Sequence, residues 1–316
     1  MKTNLSIALG LLSGLALATP VFAEEGGSGH YLPGSTASFI DALPGHPSFA
    51  AENIFTYYKT SASASRQLPV AGLTTLGLDA IAYADSLVAF CETPVRLFGG
   101  NYAAGLAIPF VWMDAKARVV TPAGTLTRQD SASGLGDITV IPFMLGWTNG
   151  TDFKYDVRLN IYAPSGDYNE GALANVGKNY WTFEPTLSAS YLSSKIGLEL
   201  TAFAAVDFNT KNAATDYQTG NQFHIDGTIA QHLRLFGGVI GVGPNGYYYR
   251  QVTADSGSGA RFGSFEGLTS GAGPTISYIR QFAKKSLAAE IKWTPELHVN
   301  HRPQGDYVWF KFTLLF

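Results

Sequence analysis

Charge is scarce in this 316-residue sequence: only 14% of it is Asp, Glu, Lys or Arg, against roughly 25% in an ordinary soluble domain. A water-soluble fold of this size needs a charged shell, and this chain can barely supply one. Cysteine is limited to Cys91, which excludes a disulfide scaffold and reads as a buried small apolar side chain. An excess of positive charge is missing too: the formal charge is −3 and the pI about 6.1, which argues against a nucleic-acid partner. Long apolar runs are absent beyond the first 23 residues. The longest, Ala103 to Met113, has eleven residues and contains Pro109, short of the about 18 that a membrane helix needs. What is plentiful is glycine (35 residues) and aromatics (20 Phe, 16 Tyr, 5 Trp). That content excludes intrinsic disorder. Mean hydropathy is nevertheless only +0.07, so apolar and polar residues must be interleaved.

Residues 1–23 carry a positive start at Lys2, an apolar run from Leu5 to Ala18, and the small residue Ala23 at the expected cut. This predicts a cleaved secretory signal peptide. An exported chain with little charge and no membrane helix is either a secreted β protein or an outer-membrane barrel. Residues 153–162 alternate Phe153, Tyr155, Val157, Leu159, Ile161 with Lys154, Asp156, Arg158, Asn160, Tyr162. This period of two marks a strand. It recurs at 181–191, 196–208 and 287–297.

Alternation alone also fits a soluble sandwich. Three features favour a membrane barrel. The runs reach about ten residues, the length of a tilted membrane strand. Aromatics such as Phe153, Trp181, Phe208 and Trp293 sit toward the ends of the apolar faces, where interfacial girdles belong. The last strand places Val308, Phe310, Phe312, Leu314 and Phe316 on one face. A terminal Phe on an apolar stripe resembles the signal read by barrel-assembly machinery, with Lys311 where Gly is usual. Twelve strands are expected, over 49–60, 76–91, 101–118, 134–148, 152–164, 179–193, 195–209, 221–234, 235–252, 270–283, 286–299 and 306–316. Long loops (61–75, 119–133, 165–178, 210–220, 253–269) alternate with short turns at Asn149-Gly150-Thr151, Ser194 and Lys284-Lys285, the bacterial outer-membrane pattern. The expected fold is therefore an all-β transmembrane antiparallel barrel over 49–316, preceded by a segment at 24–48.

A Lys or Arg at the bilayer midplane costs about 2–4 kcal/mol, so Lys154, Arg158, Glu184, Glu199 and Lys292 are expected to face the lumen. Tyr162, Tyr180, Phe203, Tyr307 and Trp309 share that parity. Such an interior could conduct or bind a small amphipathic solute, or simply fill and stiffen the barrel. Barrels of about eight strands are filled, and those of about 16–18 leave a channel, so twelve predicts a narrow or plugged passage. Residues 24–48 are rich in Gly and Pro, which precludes regular structure over most of them. They either hang loose in the periplasm or fold into the lumen as a plug presenting His30, Tyr31 and Phe39.

Several stretches are similar to one exported family. They are Gly26 to Gly34 (GGSGHYLPG), Gly134-Leu135-Gly136-Asp137-Ile138, Tyr162-Ala163-Pro164-Ser165-Gly166, Asn179 to Pro185 (NYWTFEP) and Gly246 to Gln251 (GYYYRQ). Together they resemble the meta-pathway phenol-degradation outer-membrane protein family, regarded as transporters. Ser165 stands where Thr is expected. The resemblance implies an outer-membrane barrel linked to aromatic catabolism, and supplies no catalytic or binding residues.

Signals of chemistry are weak. His298 and His301 near Glu296 lack a third metal ligand. His224 and Asp226 share an inward face, as chance allows in any polar lumen. Gly241 to Gly246 spells G-x-G-x-x-G, but Pro244 and the following tyrosines preclude the helix a dinucleotide site requires. No catalytic residue, cofactor or metal is expected. The expected partners are outer-membrane lipid and lipopolysaccharide, the assembly machinery and a small aromatic or hydrophobic solute, with no nucleic acid. The expected function is passive uptake of small hydrophobic or aromatic compounds. A closed scaffolding barrel and, behind it, a lipid-modifying outer-membrane enzyme are the alternatives.

Overall fold

A computed structural model describes residues 24–316 apart from 262–265 and 284, and apart from the side chains of 64–66. The expected signal peptide therefore lies outside the described residues. The chain forms β1 (Ser48–Val70), β2 (Leu73–Leu97), β3 (Gly100–Thr121), β4 (Gly124–Leu135), β5 (Thr139–Asn149), β6 (Phe153–Tyr162), β7 (Thr182–Leu192), β8 (Leu198–Asn209), β9 (Gln222–Leu235), β10 (Gly238–Gln251), β11 (Leu268–Phe282), β12 (Lys285–Asn300) and β13 (Gln304–Leu315). Pairing is antiparallel throughout, and β1 joins both β2 and β13, so the sheet closes. The segments β4 and β5 lie end to end along β3 and form one wall strand, which makes a barrel of twelve. Closure pairs the sheet edges that would otherwise leave backbone groups unsatisfied in lipid, apart from the free side of β4.

The two faces are reversed relative to a soluble protein. Along β7, Thr182, Glu184, Thr186, Ser188 and Ser190 are buried while Phe183, Pro185, Leu187 and Ala189 are exposed. Leu187 is 63% exposed and Glu184 5%. This is the arrangement a lipid surround selects, with apolar side chains outward and polar ones satisfied within. On the outer face of β1 and β2 one polar pair departs from it: Asn53 donates to Asp85 at 2.6 Å, between flanking positions whose side chains point outward.

Short turns gather at one rim, at Phe98-Gly99, Gly150 to Asp152, Ser193 to Gly197 and Phe236-Gly237. Phe49 and Phe316 exchange backbone hydrogen bonds at the same rim. The long loops 163–181 and 210–221, with the described residues of the connection between β10 and β11, lie at the other. Two expected loops are in fact hairpins. Residues 61–75 continue β1 and β2 around Ala71 and Gly72, whose φ values of 45° and 80° fit a tight primed turn. Residues 119–133 continue β3 and β4 around Pro122-Ala123. Their polar composition hid them, because backbone pairing continues after the apolar outer face has ended. They cohere through an apolar cluster of Leu68, Val70, Leu78, Val119 and Leu173. The turn between the expected strands 221–234 and 235–252, placed near His232 to Arg234, falls at Phe236-Gly237. Cys91 is exposed rather than buried, since its position on β2 faces outward. The G-x-G-x-x-G stretch lies within β10. A Cβ on Gly243 would meet the Ile229 carbonyl at 1.9 Å, so this glycine allows close approach of β9 and β10.

Candidate functional site

Residues 24–47 run inside the barrel from the long-loop rim to the short-turn rim. At the first rim, Arg302 donates to Glu24 at 2.9 Å and Tyr249 bonds the same carboxylate. Lower down, Tyr31 and the Gly34 amide donate to Asp226 at 2.8 and 2.7 Å, and Lys292 donates to the Gly34 carbonyl at 2.6 Å. The Phe39 amide reaches Glu199 at 2.8 Å. Asp41 pairs with Lys311, and its carbonyl accepts from Arg158 at 3.1 Å. At the far end the Gly45 amide donates to Glu92 at 3.0 Å. Short polar side chains and glycine amides suit this task, because a buried irregular backbone must find partners for its polar groups. Apart from Glu92 on β2, these partners belong to β6, β8, β9, β10, β12, β13 and the short connection at 301–303.

The opposite wall is different. A cavity of about 340 Å³ lies between the segment and β1–β3, lined by Ile54, Leu78, Ala82, Val88, Pro109 and Met113 among others. A second of about 440 Å³ is lined by Leu43, Phe90, Ile141 and Met144, with Lys154 and Arg158 at its polar side. The two share Ile54, Val88, Ala107 and Tyr162. The first reaches Val70 at the long-loop rim and the second reaches Ala50 and Leu315 at the short-turn rim. On β2 the inward positions Ala80, Ala82, Ala84 and Ser86 are small, which makes the space.

The wall beside the first cavity is interrupted. Between β4 and β5, residues Gly136-Asp137-Ile138 leave the ladder. Below the break β5 pairs with β3 and β6; above it β4 pairs with β3 alone. The loop at 163–181 covers that edge: Arg128 donates to the Gly171 carbonyl at 2.7 Å and the Leu173 amide to Asp130 at 3.1 Å. Asp137 gathers the parts. Its carboxylate binds His30 Nε2 at 2.9 Å and accepts from the Gly166 and Lys178 amides at 2.9 and 2.7 Å. Burial lowers the His30 pKa, outweighing the opposing pull of Asp137. Burial also lowers that of Lys178, whose ammonium donates to Ser28.

The residues singled out from the sequence divide between the two cavities, the wall packing and the lumenal segment. Tyr162, Tyr180, Tyr307 and Trp309 line the first cavity, and Tyr162 and Tyr180 also clasp His30, at ring distances of 5.0 and 4.9 Å. Lys154 and Arg158 line the second. Phe203 and Glu184 line neither: Phe203 packs under Arg158 at 5.2 Å, and Glu184 accepts from Tyr162 at 2.9 Å. His30, Tyr31 and Phe39 all lie in the lumen, with Tyr31 stacked on His224 at 3.6 Å and Phe39 edge-on to His232 at 5.0 Å. Glu296 turns inward to the Gly305 amide while His298 is exposed, so the structure does not bring that group together. Lys311, Asp137 and the alanines of β2 were missed.

The family model described as "Putative MetA-pathway of phenol degradation" matches residues 64–312, most of the chain. This chain belongs to that family. The match begins within β1, so the lumenal segment precedes it. No curated protein matches the sequence. Among solved structures, the COG4313 outer membrane channel from Pseudomonas putida F1 is similar, with a TM-score of 0.58 at 13% identity, covering 90% of this chain and 100% of that one. At that identity the likeness shows the fold, an outer-membrane-type barrel. The β domain of the Bordetella autotransporter BrkA reaches a TM-score of 0.40 at 11% identity, covering 83% of this chain and 98% of that one, too distant to inform this member of the phenol-degradation family.

Proposed function

We propose that this chain is an outer-membrane channel for passive uptake of small hydrophobic or aromatic compounds, with residues 24–47 acting as a plug that fills the polar side of the lumen. The observation that carries the reading is the apolar crescent along β2 and β3, extended by Ile54 of β1, within an otherwise polar interior. A monoaromatic is accommodated by an apolar cavity of about 150 Å³, less than half of the 340 Å³ beside Ile54 and Met113. A water-filled porin has no such surface. The break at Gly136-Asp137-Ile138, next to Pro109 and Val111, supports a second exit, sideways into the membrane beneath the loop at 163–181. Flux follows the gradient maintained by catabolism inside the cell.

The same reading assigns the long loops to the lipopolysaccharide side and the short turns to the periplasm. It includes removal of residues 1–23. Cleavage after Ala23 would turn the Glu24 amide nitrogen, 3.0 Å from Asp255, into a charged amine against a carboxylate, a natural anchor for the plug's first residue. Barrel-assembly machinery would read the strand that ends at Phe316.

The test is initial uptake of a labelled monoaromatic at micromolar concentration in cells with the gene present, deleted and restored. A loss on deletion that restoration reverses supports transport. Equal uptake in all three overturns transport of this solute class and leaves a closed scaffold. For the plug, a variant lacking residues 24–47 is expected to keep a folded barrel and conduct more in planar bilayers; unchanged conductance refutes that role.

A further inference from the structure

Near the long-loop ends of β7, β8 and β9, four titratable side chains converge without ordinary hydrogen bonds between them. His224 Nε2 faces Asp207 at 3.5 Å and Glu184 at 3.7 Å, and its Nδ1 faces Asp226 at 3.5 Å. These separations exceed the 2.7–3.2 Å or so of an N–H···O bond. Asp207 is fully buried, and neither of its oxygens has a hydrogen-bond partner among the described residues; neither does either ring nitrogen of His224. Four of the lumenal cations are engaged elsewhere: Arg158 with Asp156, Lys292 with Glu290, Lys311 with Asp41 and Arg302 with Glu24. Three carboxylates around one imidazole, with one carboxylate wholly unpartnered, is an arrangement that burial alone strongly disfavours.

We propose that Glu184, Asp207 and His224 hold a zinc-class divalent cation in the lumen. Their ligand atoms all lie within 4.8 Å of one another. Ligand atoms bound at about 2.0–2.2 Å to a tetrahedral zinc stand roughly 3.4 Å apart, close to the 3.5 and 3.7 Å measured from Nε2. The surroundings have the order such sites require. A metal-bound histidine usually donates its other N–H to a carboxylate, which fixes the ring. Asp226 occupies that position at Nδ1, and Tyr31 and the Gly34 amide hold Asp226 in turn. Three protein ligands leave a fourth position for water. Because Tyr31 stacks on His224, the cation would stiffen the wall where the lumenal segment rests on it. In the sequence His224, Asp226 and Glu184 stand out only as inward-facing residues, and nothing joins them to Asp207, since the ligands come from three strands without a short spacing motif. The inference does not depend on what crosses the lumen.

The test uses the full chain, purified in detergent, stripped with chelator and titrated calorimetrically with Zn²⁺. One Zn²⁺ per chain is expected. Asp207→Asn and His224→Gln should weaken binding by at least about ten-fold, and Asp226→Asn by about 10- to 100-fold. His298→Gln, on an exposed position, should bind as the parent does. Cold gel mobility identifies variants that retain the barrel. Should Asp207→Asn fail to fold, Co²⁺ absorption of the parent chain decides: intense four-coordinate bands are expected, and a spectrum equal to hydrated Co²⁺ overturns the site. Absence of stoichiometric binding, or binding that survives both ligand substitutions in folded barrels, overturns it as well.

Discussion

Replacing Asp137 with Ala would release the lumenal segment and the loop over the wall break together. The carboxylate, only 4% exposed, holds one group of the segment, His30 Nε2, and two of the loop, the Gly166 and Lys178 amides. A hydrogen bond to a charged group contributes about 1.5–3 kcal/mol, and each 1.4 kcal/mol or so is a factor of ten. Loss of the His30 bond alone should therefore raise the released population of the segment about ten- to hundred-fold. The loop loses two such bonds and should respond more strongly. The global barrel should survive, because Asp137 belongs to no strand ladder. Amide exchange followed by mass spectrometry checks this over residues 24–47 and 163–181, alongside planar-bilayer conductance. Faster exchange in both regions, with higher conductance, is expected. Parent-like exchange in a barrel of normal cold gel mobility would refute Asp137 as the joint.

Lys311→Met should destabilise by about 3–5 kcal/mol, since it strands the Asp41 carboxylate in the lumen; the double change with Asp41→Asn should cost less than the single one, read from urea midpoints of gel mobility. Seating of the segment should weaken with acid. The seated His30 has a pKa below its ordinary 6.5, so the released segment takes up protons first, and the contribution is complete above about 6.5 and declines as pH falls below it. Asp137, Lys178 and Glu184 act on this imidazole. Conductance should rise from about pH 8 to about pH 5, and His30→Asn should flatten the profile. Ala84→Trp, on the inward face of β2, should fill the first cavity and lower monoaromatic uptake several-fold while leaving the barrel intact; undiminished uptake would move the path elsewhere.

The wall was legible from the sequence because lipid outside and a polar lumen inside impose a period of two on every strand. The run from Phe153 to Tyr162 shows it without help from tertiary structure. The hairpins of β1–β2 and β3–β4 were not legible. Past the membrane the outer face is free to turn polar, and only backbone pairing and the Ala71-Gly72 turn continue the strand. The lumenal contacts were half visible. Parity put Lys154, Arg158, Glu184 and the tyrosines inside, but parity cannot say what they meet there. Lys311 stood out only as an odd residue in a terminal signal, whereas its buried partner Asp41 lies far away in the sequence. Asp137 was visible only as part of a family stretch. The apolar crescent escaped notice because small residues carry it: Ala80, Ala82 and Ala84 give no hydrophobic signal, yet their size is what leaves the space.

A lumen must reconcile two demands, and this one separates them in space. Holding an irregular segment in place requires buried polar contacts, and those offer nothing to an apolar solute. Along β6, β8, β9, β12 and β13, partners such as Asp226, Glu199, Lys292 and Lys311 satisfy the segment's backbone and charges. Breaking even one buried pair costs several kcal/mol, so thermal motion rarely unseats it. If passage required complete withdrawal of the segment, flux would be limited by the sum of those contacts. On the proposed reading, the apolar side along β2 and β3 removes that requirement, since a solute following Leu78, Ala82, Val88 and Phe90 would displace none of the ion pairs named above. Among the described residues, the Gly45 amide to Glu92 is the hydrogen bond seen from the segment to that wall. On the proposed reading, strong anchoring and easy passage are compatible, because the contacts that fix the segment and the surface open to an apolar solute lie on different walls.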